Sequence, residues 1–168
     1  MFKTIIIFCS ILLLTACATA PSSAPKFSDV NMPVATDHKG VLVVFRKTTK
    51  PYLYNMQVEI DGMPTAELPN DTFSWIELSE GKHDVTIDWP FLSGMPSTSF
   101  PVSIVSGETQ YIELSSDVSV SIGVSVGSGG SSTSVGSAAG SNRGLSLSKA
   151  EAVKALTQCC QYVGLLTE

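Results

Sequence analysis

Histidine and aspartate are the side chains in this sequence that could bind a metal ion or transfer a proton. His83 is followed directly by Asp84 and, four residues further on, by Asp88. Imidazole and carboxylate groups together ligate transition metals and act as general acids and bases. In an extended strand, however, His83 and the two aspartates lie on opposite faces, because successive side chains alternate. We therefore expect a structural histidine and no metal site. A small-ligand or metal carrier that uses His83 is an alternative.

Common catalytic motifs do not occur in the sequence. Neither Gly-x-Ser-x-Gly nor His-Glu-x-x-His is found, and a Ser/His/Asp triad would have to use His38 or His83, the only histidines of the chain. We predict that the protein has no catalytic residues, needs no cofactor and is not an enzyme. An enzyme or enzyme inhibitor with a surface cleft is a second alternative, which several titratable groups in one pocket would favour.

The N-terminus has the pattern of a secretory signal peptide. Lys3 supplies a positive tip, and residues 4–16 form an uncharged apolar stretch. This stretch is shorter than the roughly 20 residues that a membrane-spanning helix needs. We therefore predict a signal peptide over residues 1–16.

The segment LTAC, residues 14–17, resembles the lipobox of bacterial lipoproteins. The resemblance implies cleavage before Cys17 and attachment of lipid to its sulfur, a step that suits a nucleophilic thiolate. Several acyl chains would hold the protein firmly on a membrane. In lipoproteins of enteric-type bacteria, an Asp directly after the lipidated cysteine resembles a signal for retention in the inner membrane. This sequence has Ala18 at that position. The resemblance therefore implies the cell outer membrane, with the domain facing the periplasm.

Composition separates the remaining chain into a tether and one domain. Residues 17–38 are rich in Ala, Ser and Pro and have few large apolar groups, which predicts a flexible tether. Residues 39–168 are a suitable length for a single domain. The chain has 168 residues, a formal net charge of −5 and ten scattered Lys and Arg residues. A nucleic-acid interface needs a basic patch, so we exclude nucleic acid as a partner.

Short segments of the domain have the patterns of β-strands. The apolar run GVLVVFRK at 40–47 predicts a strand buried on both faces. In MQVEI at 56–60, apolar and polar residues alternate, which predicts one buried face. Asp61-Gly62 then predicts a tight hairpin turn, since glycine accepts positive φ. Similar strands surround Gly81. The predicted fold is mainly β, an antiparallel β-sandwich with one C-terminal helix.

The C-terminal third predicts a loop and that helix. Residues 127–144 contain 12 Gly or Ser among 18, which predicts a Ser/Gly-rich flexible surface loop. Ser148 and Glu151 have the spacing of a capping box and open a helix predicted over residues 149–163.

Two adjacent cysteines, Cys159 and Cys160, fall within the predicted helix. Neighbouring side chains of a helix diverge by about 100°, so their sulfurs do not face each other. We expect no disulfide between them, with Cys160 on the buried stripe of the helix.

Four segments resemble an uncharacterised bacterial lipoprotein family, domain of unknown function 2846, and the broader group of PEGA-like and prealbumin-like small β-sandwiches. The segments are VLVVFR (41–46), VEIDG (58–62), AEL (66–68) and FSWIELSEGKHDVTI (73–87). The resemblance implies a fold-motif turn at Asp61, Gly62, Gly81 and His83. It implies no activity and no catalytic residues, and the Ser/Gly-rich insertion departs from the pattern.

The connection DWPFLSGMP at 88–96 is apolar and bounded by prolines. Such a connection is a candidate contact surface, which we assign to Trp89, Phe91 and Leu92. The sequence as a whole predicts a lipid-anchored cell-envelope lipoprotein that acts as a non-catalytic binding or structural module. Its expected partners are the membrane, through the N-terminal lipid, and an envelope protein or polymer.

Overall fold

The structure, a computed structural model, describes residues 19–127 and 130–166, with side chains at 19–117 and 140–166. The predicted signal peptide at 1–16 and the predicted lipidation residue Cys17 lie outside the described residues. Both therefore stay predictions.

The described chain forms nine strands, one α-helix and two short 3₁₀ helices at Phe27–Asp29 and Phe91–Ser93. The strands are β1 (Lys39–Arg46), β2 (Met56–Ile60), β3 (Met63–Leu68), β4 (Thr72–Ser79), β5 (Gly81–Asp88), β6 (Thr98–Ile104), β7 (Thr109–Gly127), β8 (Gly130–Leu147) and β9 (Gln161–Tyr162). The helix, α1, spans Lys149–Cys159.

The strands form two sheets, which confirms the predicted mainly β sandwich with a C-terminal helix. The first sheet has the order β8-β7-β1-β4-β9 and the second the order β3-β2-β5-β6. The second sheet is antiparallel throughout, whereas the first contains two parallel pairs, β1 with β7 and β4 with β9.

Strand β1 is buried on both faces, as its apolar run predicts. Alternate side chains point to opposite faces, so Leu42 and Val44 contact the second sheet, while Val41, Val43 and Phe45 lie on the outer face. The inner core also includes Met56, Val58, Ile60, Val85, Ile87 and Leu114. This confirms the alternating pattern predicted for β2, in which every second residue is buried.

The outer face of the first sheet has its own apolar core. Ala152 and Leu156 of α1 pack on it, together with Phe27, Val30, Met32 and Ala35 of the N-terminal segment. An aromatic pair joins the N-terminal segment to the sheet, because the Phe27 ring contacts the Phe73 ring of β4 edge-on with ring centroids 5.4 Å apart. The first sheet is therefore covered on both sides.

The prediction of a flexible tether over residues 17–38 is wrong for the described residues 19–38. Backbone bridges join Thr19 to Asn70 and Lys26 to Gln161, and the Tyr162 amide donates to the Pro25 carbonyl at 2.8 Å. The few apolar side chains of this segment suffice to fill a sheet face that α1 leaves uncovered. A polar composition therefore did not prevent packing.

The prediction of a loop over residues 127–144 is wrong for residues 130–144, which belong to β8. The long strands β7 and β8 form an antiparallel hairpin whose pairing runs from Tyr111–Leu147 to Gly127–Gly130. Backbone hydrogen bonds of a hairpin need no apolar side chains, so a Ser- and Gly-rich segment can supply the returning strand.

The predicted helix over 149–163 begins as expected but ends early. Ser148 and Glu151 form the capping box, which is confirmed. The helix ends at Cys159, and Cys160 is extended, because the next residues leave the helix to pair with β4 as strand β9. This change of direction brings the two sulfurs together, and Cys159 and Cys160 are bonded to each other. The expectation of two unbonded cysteines is therefore wrong.

The sandwich has two ends with different loops. We call the end at which β1 finishes at Arg46 the upper end; the connections 47–55, 69–71 and 89–97 lie there. We call the other end the lower end; it carries the turns at 61–62, 80 and 105–108. Strand β7 runs parallel to β1, so the β7–β8 hairpin continues past the upper end.

Candidate functional site

The four residues of the fold-motif turn meet at the lower end. Asp61 and Gly62 have φ of 53° and 77°, which is the conformation of a tight hairpin turn and one that glycine adopts without strain. His83 Nδ1 lies 2.7 Å from Asp61 Oδ2, and the Asp84 amide donates to Asp61 Oδ1 at 2.9 Å. The β2–β3 turn is thus joined to β5.

His83 uses both of its ring nitrogens within this motif. Its Nε2 lies 2.9 Å from the Ser79 carbonyl, on the opposite side from Asp61. A protonated imidazole donates to both acceptors, so these contacts favour the charged form. The hydrogen bond with Asp61, and then the one with Ser79, raises the pKa of His83 above its ordinary value. The hydrogen bond from His83, and then the one from the Asp84 amide, lowers the pKa of Asp61 below its ordinary value.

This geometry bears on the metal-carrier alternative. A histidine ligand needs one ring nitrogen free of a proton, and both nitrogens of His83 face acceptors that the protonated ring satisfies. Among the residues that the structure describes, no group of three or more His, Cys, Asp or Glu side chains could hold a metal ion. What the arrangement does chemically is to clamp two turns together.

The His83 clamp predicts a pH-dependent stability. Because the folded pKa of His83 is raised, its contribution is present below the ordinary pKa of 6.5 and is lost as the pH rises through the folded value. The lowered pKa of Asp61 adds a contribution above 3.8, lost as the pH falls through its folded value. We expect the thermal midpoint to fall from about pH 6 to about pH 9 in the wild type and to fall less in His83→Gln.

The control for that measurement is His38→Gln. His38 is exposed and lies outside the clamp. This variant should keep the decline of the wild type. An equal decline in His83→Gln and in the wild type would contradict the assignment.

The upper end is organised by a residue that the sequence analysis did not select, Arg46. Its side chain is completely buried and donates from Nη1 to the carbonyls of Tyr54 and Leu68, at 2.8 and 2.9 Å. Nη2 donates to the carbonyls of Thr49 and Pro51, at 3.1 and 2.9 Å. Burial lowers the pKa of Arg46 to about 10, against the opposing charge of Asp71. One charged group thereby holds most of the β1–β2 connection.

Trp89 packs against this arginine, so its assignment to a contact surface is wrong. The indole is only 5% exposed, and the Arg46 guanidinium lies 4.9 Å from its ring centroid. Trp89 Nε1 donates to Asn142 Oδ1 at 3.0 Å, which ties β5 to the hairpin strand β8. Trp89 is a core residue because it continues the buried face of β5 after Val85 and Ile87.

The other two residues assigned to the contact surface are exposed. Phe91 is 96% and Leu92 81% exposed, in the 3₁₀ helix between β5 and β6. Leu53, 68% exposed, and Tyr52 project from the neighbouring β1–β2 connection. The Tyr54 hydroxyl donates to the Leu92 carbonyl at 3.3 Å and so joins the two connections. We call Tyr52, Leu53, Phe91 and Leu92 the apolar rim.

The N-terminal segment also reaches the upper end. Thr19 bridges to Asn70 in the β3–β4 connection, and the segment then runs down the outer face of the first sheet to Thr36, which pairs with Lys39 at the lower end. Asn70 in turn accepts from the Thr49 amide at 2.9 Å. Thr19, the first residue that the structure describes, therefore lies at the upper end.

A polar cleft of about 300 Å³ lies beside the stem of the hairpin. Two of its charged side chains have partners, since Glu113 pairs with Lys47 at the edge of the cleft at 2.8 Å and Arg143 donates to Ser115 at 3.0 Å. Both histidines of the chain belong to the lower end, so neither could act as a base for a serine in this cleft.

The apolar rim could be found only in part from sequence, and Arg46 was missed. The available signal for Arg46 was the period of β1, which puts residue 46 on the same inner face as Leu42 and Val44. An arginine at a core-facing position needs acceptors around it.

Of the helices that the structure describes, none is long and apolar enough to cross a membrane.

Comparison with known proteins identifies no relative. No protein-family model, no curated protein and no solved structure matches this chain.

Proposed function

We propose that this protein is a lipid-anchored lipoprotein of the cell envelope that carries its acyl chains on Cys17. In this proposal the lipid holds it on the outer membrane, with the β-sandwich facing the periplasm. It acts there as a non-catalytic binding or structural module, for an envelope protein or polymer.

The observation that carries the proposal is the position of the N-terminal segment. The LTAC motif supplies the residue for lipid attachment, and the bridge from Thr19 to Asn70 supports a fixed exit of the chain from the domain. A module anchored near one defined end keeps that end close to its membrane. The exposed side of such a module is then available to a partner.

The non-catalytic part of the proposal is supported by how the polar groups are used. His83 is occupied by Asp61 and Ser79, and Glu113 of the upper cleft is paired with Lys47. Structural ion pairs of this kind need no substrate to satisfy them. The resemblance to the domain of unknown function 2846 is part of the same proposal, supported by the meeting of Asp61 and His83.

Cys17→Ser tests the proposal, because serine offers no thiolate for alkylation. We expect metabolic labelling with a fatty-acid probe to be abolished and the protein to leave the membrane fraction or to stay uncleaved. Cys9→Ser is the matched control, since Cys9 lies in the predicted signal peptide, and it should label like the wild type. Equal labelling of Cys17→Ser and wild type would disprove the anchor.

A further inference from the structure

The side chains of the apolar rim are large and exposed, and their backbone is fixed by hydrogen bonds. Exposed patches of this kind mark surfaces that contact a protein or a membrane. The rim combines two aromatic and two leucine side chains from two neighbouring connections. Both connections lie at the upper end of the sandwich, beside the hairpin that continues past it.

The connections that carry the rim are fixed by hydrogen bonds. Arg46 binds the carbonyls of Thr49, Pro51 and Tyr54, on both sides of Tyr52 and Leu53. Ser116 at the base of the hairpin donates to the Lys50 carbonyl. Since the backbone is held on both sides of Tyr52 and Leu53, the outward orientation of these two side chains belongs to the fold. The Tyr54 hydroxyl joins this connection to the one that carries Phe91 and Leu92.

The position of the N-terminal segment indicates which kind of surface the rim contacts. Asn70, which bridges to Thr19, also donates to the Tyr52 carbonyl at 3.4 Å. Cys17 precedes Thr19 by two positions in the sequence, and an extended chain of that length spans at most about 7 Å. An acyl group on Cys17 would therefore start close to Tyr52. The bilayer that receives it would lie against the upper end.

We propose that the apolar rim is a membrane-docking surface, whose four side chains enter the boundary between headgroups and acyl chains of the anchoring bilayer. This proposal rests on the proposed lipid anchor. Aromatic side chains are favourable at that depth, and exposed Lys50 next to the rim is suited to anionic headgroups. The acyl chains and the rim would then bind the same membrane and fix the tilt of the sandwich.

The β7–β8 hairpin leaves the domain at the same end. Its described pairing continues from Leu114, opposite Arg46, to Gly127. The bilayer would therefore meet the hairpin as well as the rim. The experiment must separate the two, which it does by changing rim residues and leaving the hairpin intact.

The first test measures depth in the lipidated full-length mature protein. Phe91→Trp and Val34→Trp are each reconstituted into phosphatidylethanolamine/phosphatidylglycerol vesicles containing lipids brominated on their acyl chains. Val34, 83% exposed, belongs to the N-terminal segment close to the lower end and is the matched control. Bromine quenches only tryptophans that it contacts. We expect added quenching for Phe91→Trp and none for Val34→Trp, beyond that of the two native tryptophans.

The second test removes the anchor, so that failure of the rim and failure of the anchor can be told apart. Mature protein with Cys17→Ser is mixed with the same vesicles without bromine, and its partitioning is compared with and without Leu53→Ser, Phe91→Ser and Leu92→Ser. Burying one such side chain favours partitioning about tenfold or more. We expect the triple variant to bind at least about tenfold more weakly. Val34→Ser with Met63→Ser, both exposed and away from the rim, should bind like the unsubstituted chain.

Each outcome decides the proposal. Equal quenching at positions 91 and 34, or vesicle binding that the rim substitutions leave unchanged, overturns it even if Cys17 carries lipid; the second result would assign the contact to the hairpin. Vesicle binding lost in the triple variant supports the rim even if Cys17→Ser leaves fatty-acid labelling intact. Unchanged thermal midpoints exclude unfolding as the cause, since all substituted side chains are exposed.

Discussion

Arg46→Met is expected to lower the free energy of unfolding by about 3 kcal/mol or more, the largest effect of any single polar residue discussed for this domain. Methionine has a similar length and keeps much of the packing, so the loss comes from hydrogen bonds. Four carbonyl oxygens, those of Thr49, Pro51, Tyr54 and Leu68, lose their donor. Leaving even one buried acceptor unpaired costs about 1–3 kcal/mol.

Chemical and thermal unfolding measure this effect, and about 3 kcal/mol corresponds to a fall of roughly 10 °C in the thermal midpoint of a domain of this size. Arg46→Lys keeps the charge but lacks the planar fork that reaches several carbonyls, so it should fall between Met and wild type. Arg143→Met is the control. That arginine is exposed and contacts Ser115, and its loss should change stability by less than about 0.5 kcal/mol. Equal stability of Arg46→Met and wild type would contradict the organising role.

Phe73→Ala is expected to cost about 3–5 kcal/mol, the range for deleting a fully buried aromatic side chain. Phe73 is completely buried and lies where the outer core meets three other rings, those of Phe27, Trp75 and Tyr162. Removing it opens a cavity that the N-terminal segment and β9 both line. Phe91→Ala, at a side chain with almost no protein contact, is the matched control and should change stability by less than about 0.5 kcal/mol.

The same measurement tests whether the N-terminal segment is part of the domain. Phe27→Ala alone should also destabilise, and the double variant with Phe73→Ala should lose less than the sum of the two, because contacting residues are coupled. A tether would give no effect for Phe27→Ala in either background. That result would contradict the packing of residues 19–38.

The predictions that the structure confirms rest on signals contained in a few neighbouring residues. The apolar run of β1 and the alternation in β2 reflect which faces of a strand are buried, and a strand has a period of two. The capping box at Ser148 joins residues three apart. The Asp61-Gly62 turn has the positive φ values that its residue types permit. Such features need no information about distant segments.

The predictions that failed depend on which segments meet in space. Residues 19–38 look like a tether in composition, yet they pack because the outer face of the first sheet needs a cover. The Ser- and Gly-rich segment looks like a loop, yet β7 offers it a strand to pair with. The helix continues in pattern to Val163, yet it ends at Cys159 because β4 has a free edge for Gln161 and Tyr162.

The sequence by itself determined the fold class, the strands with clear alternation, the helix start and the LTAC motif, since each is a local pattern of residue types. Only the tertiary structure decided that Arg46 is buried among four carbonyls, that Trp89 faces inward while Phe91 faces outward, and that Thr19 lies beside the connection carrying Tyr52. The reason is physical. A side chain's neighbours come from strands far apart in the chain, and no local period records which of them share an end of the sandwich.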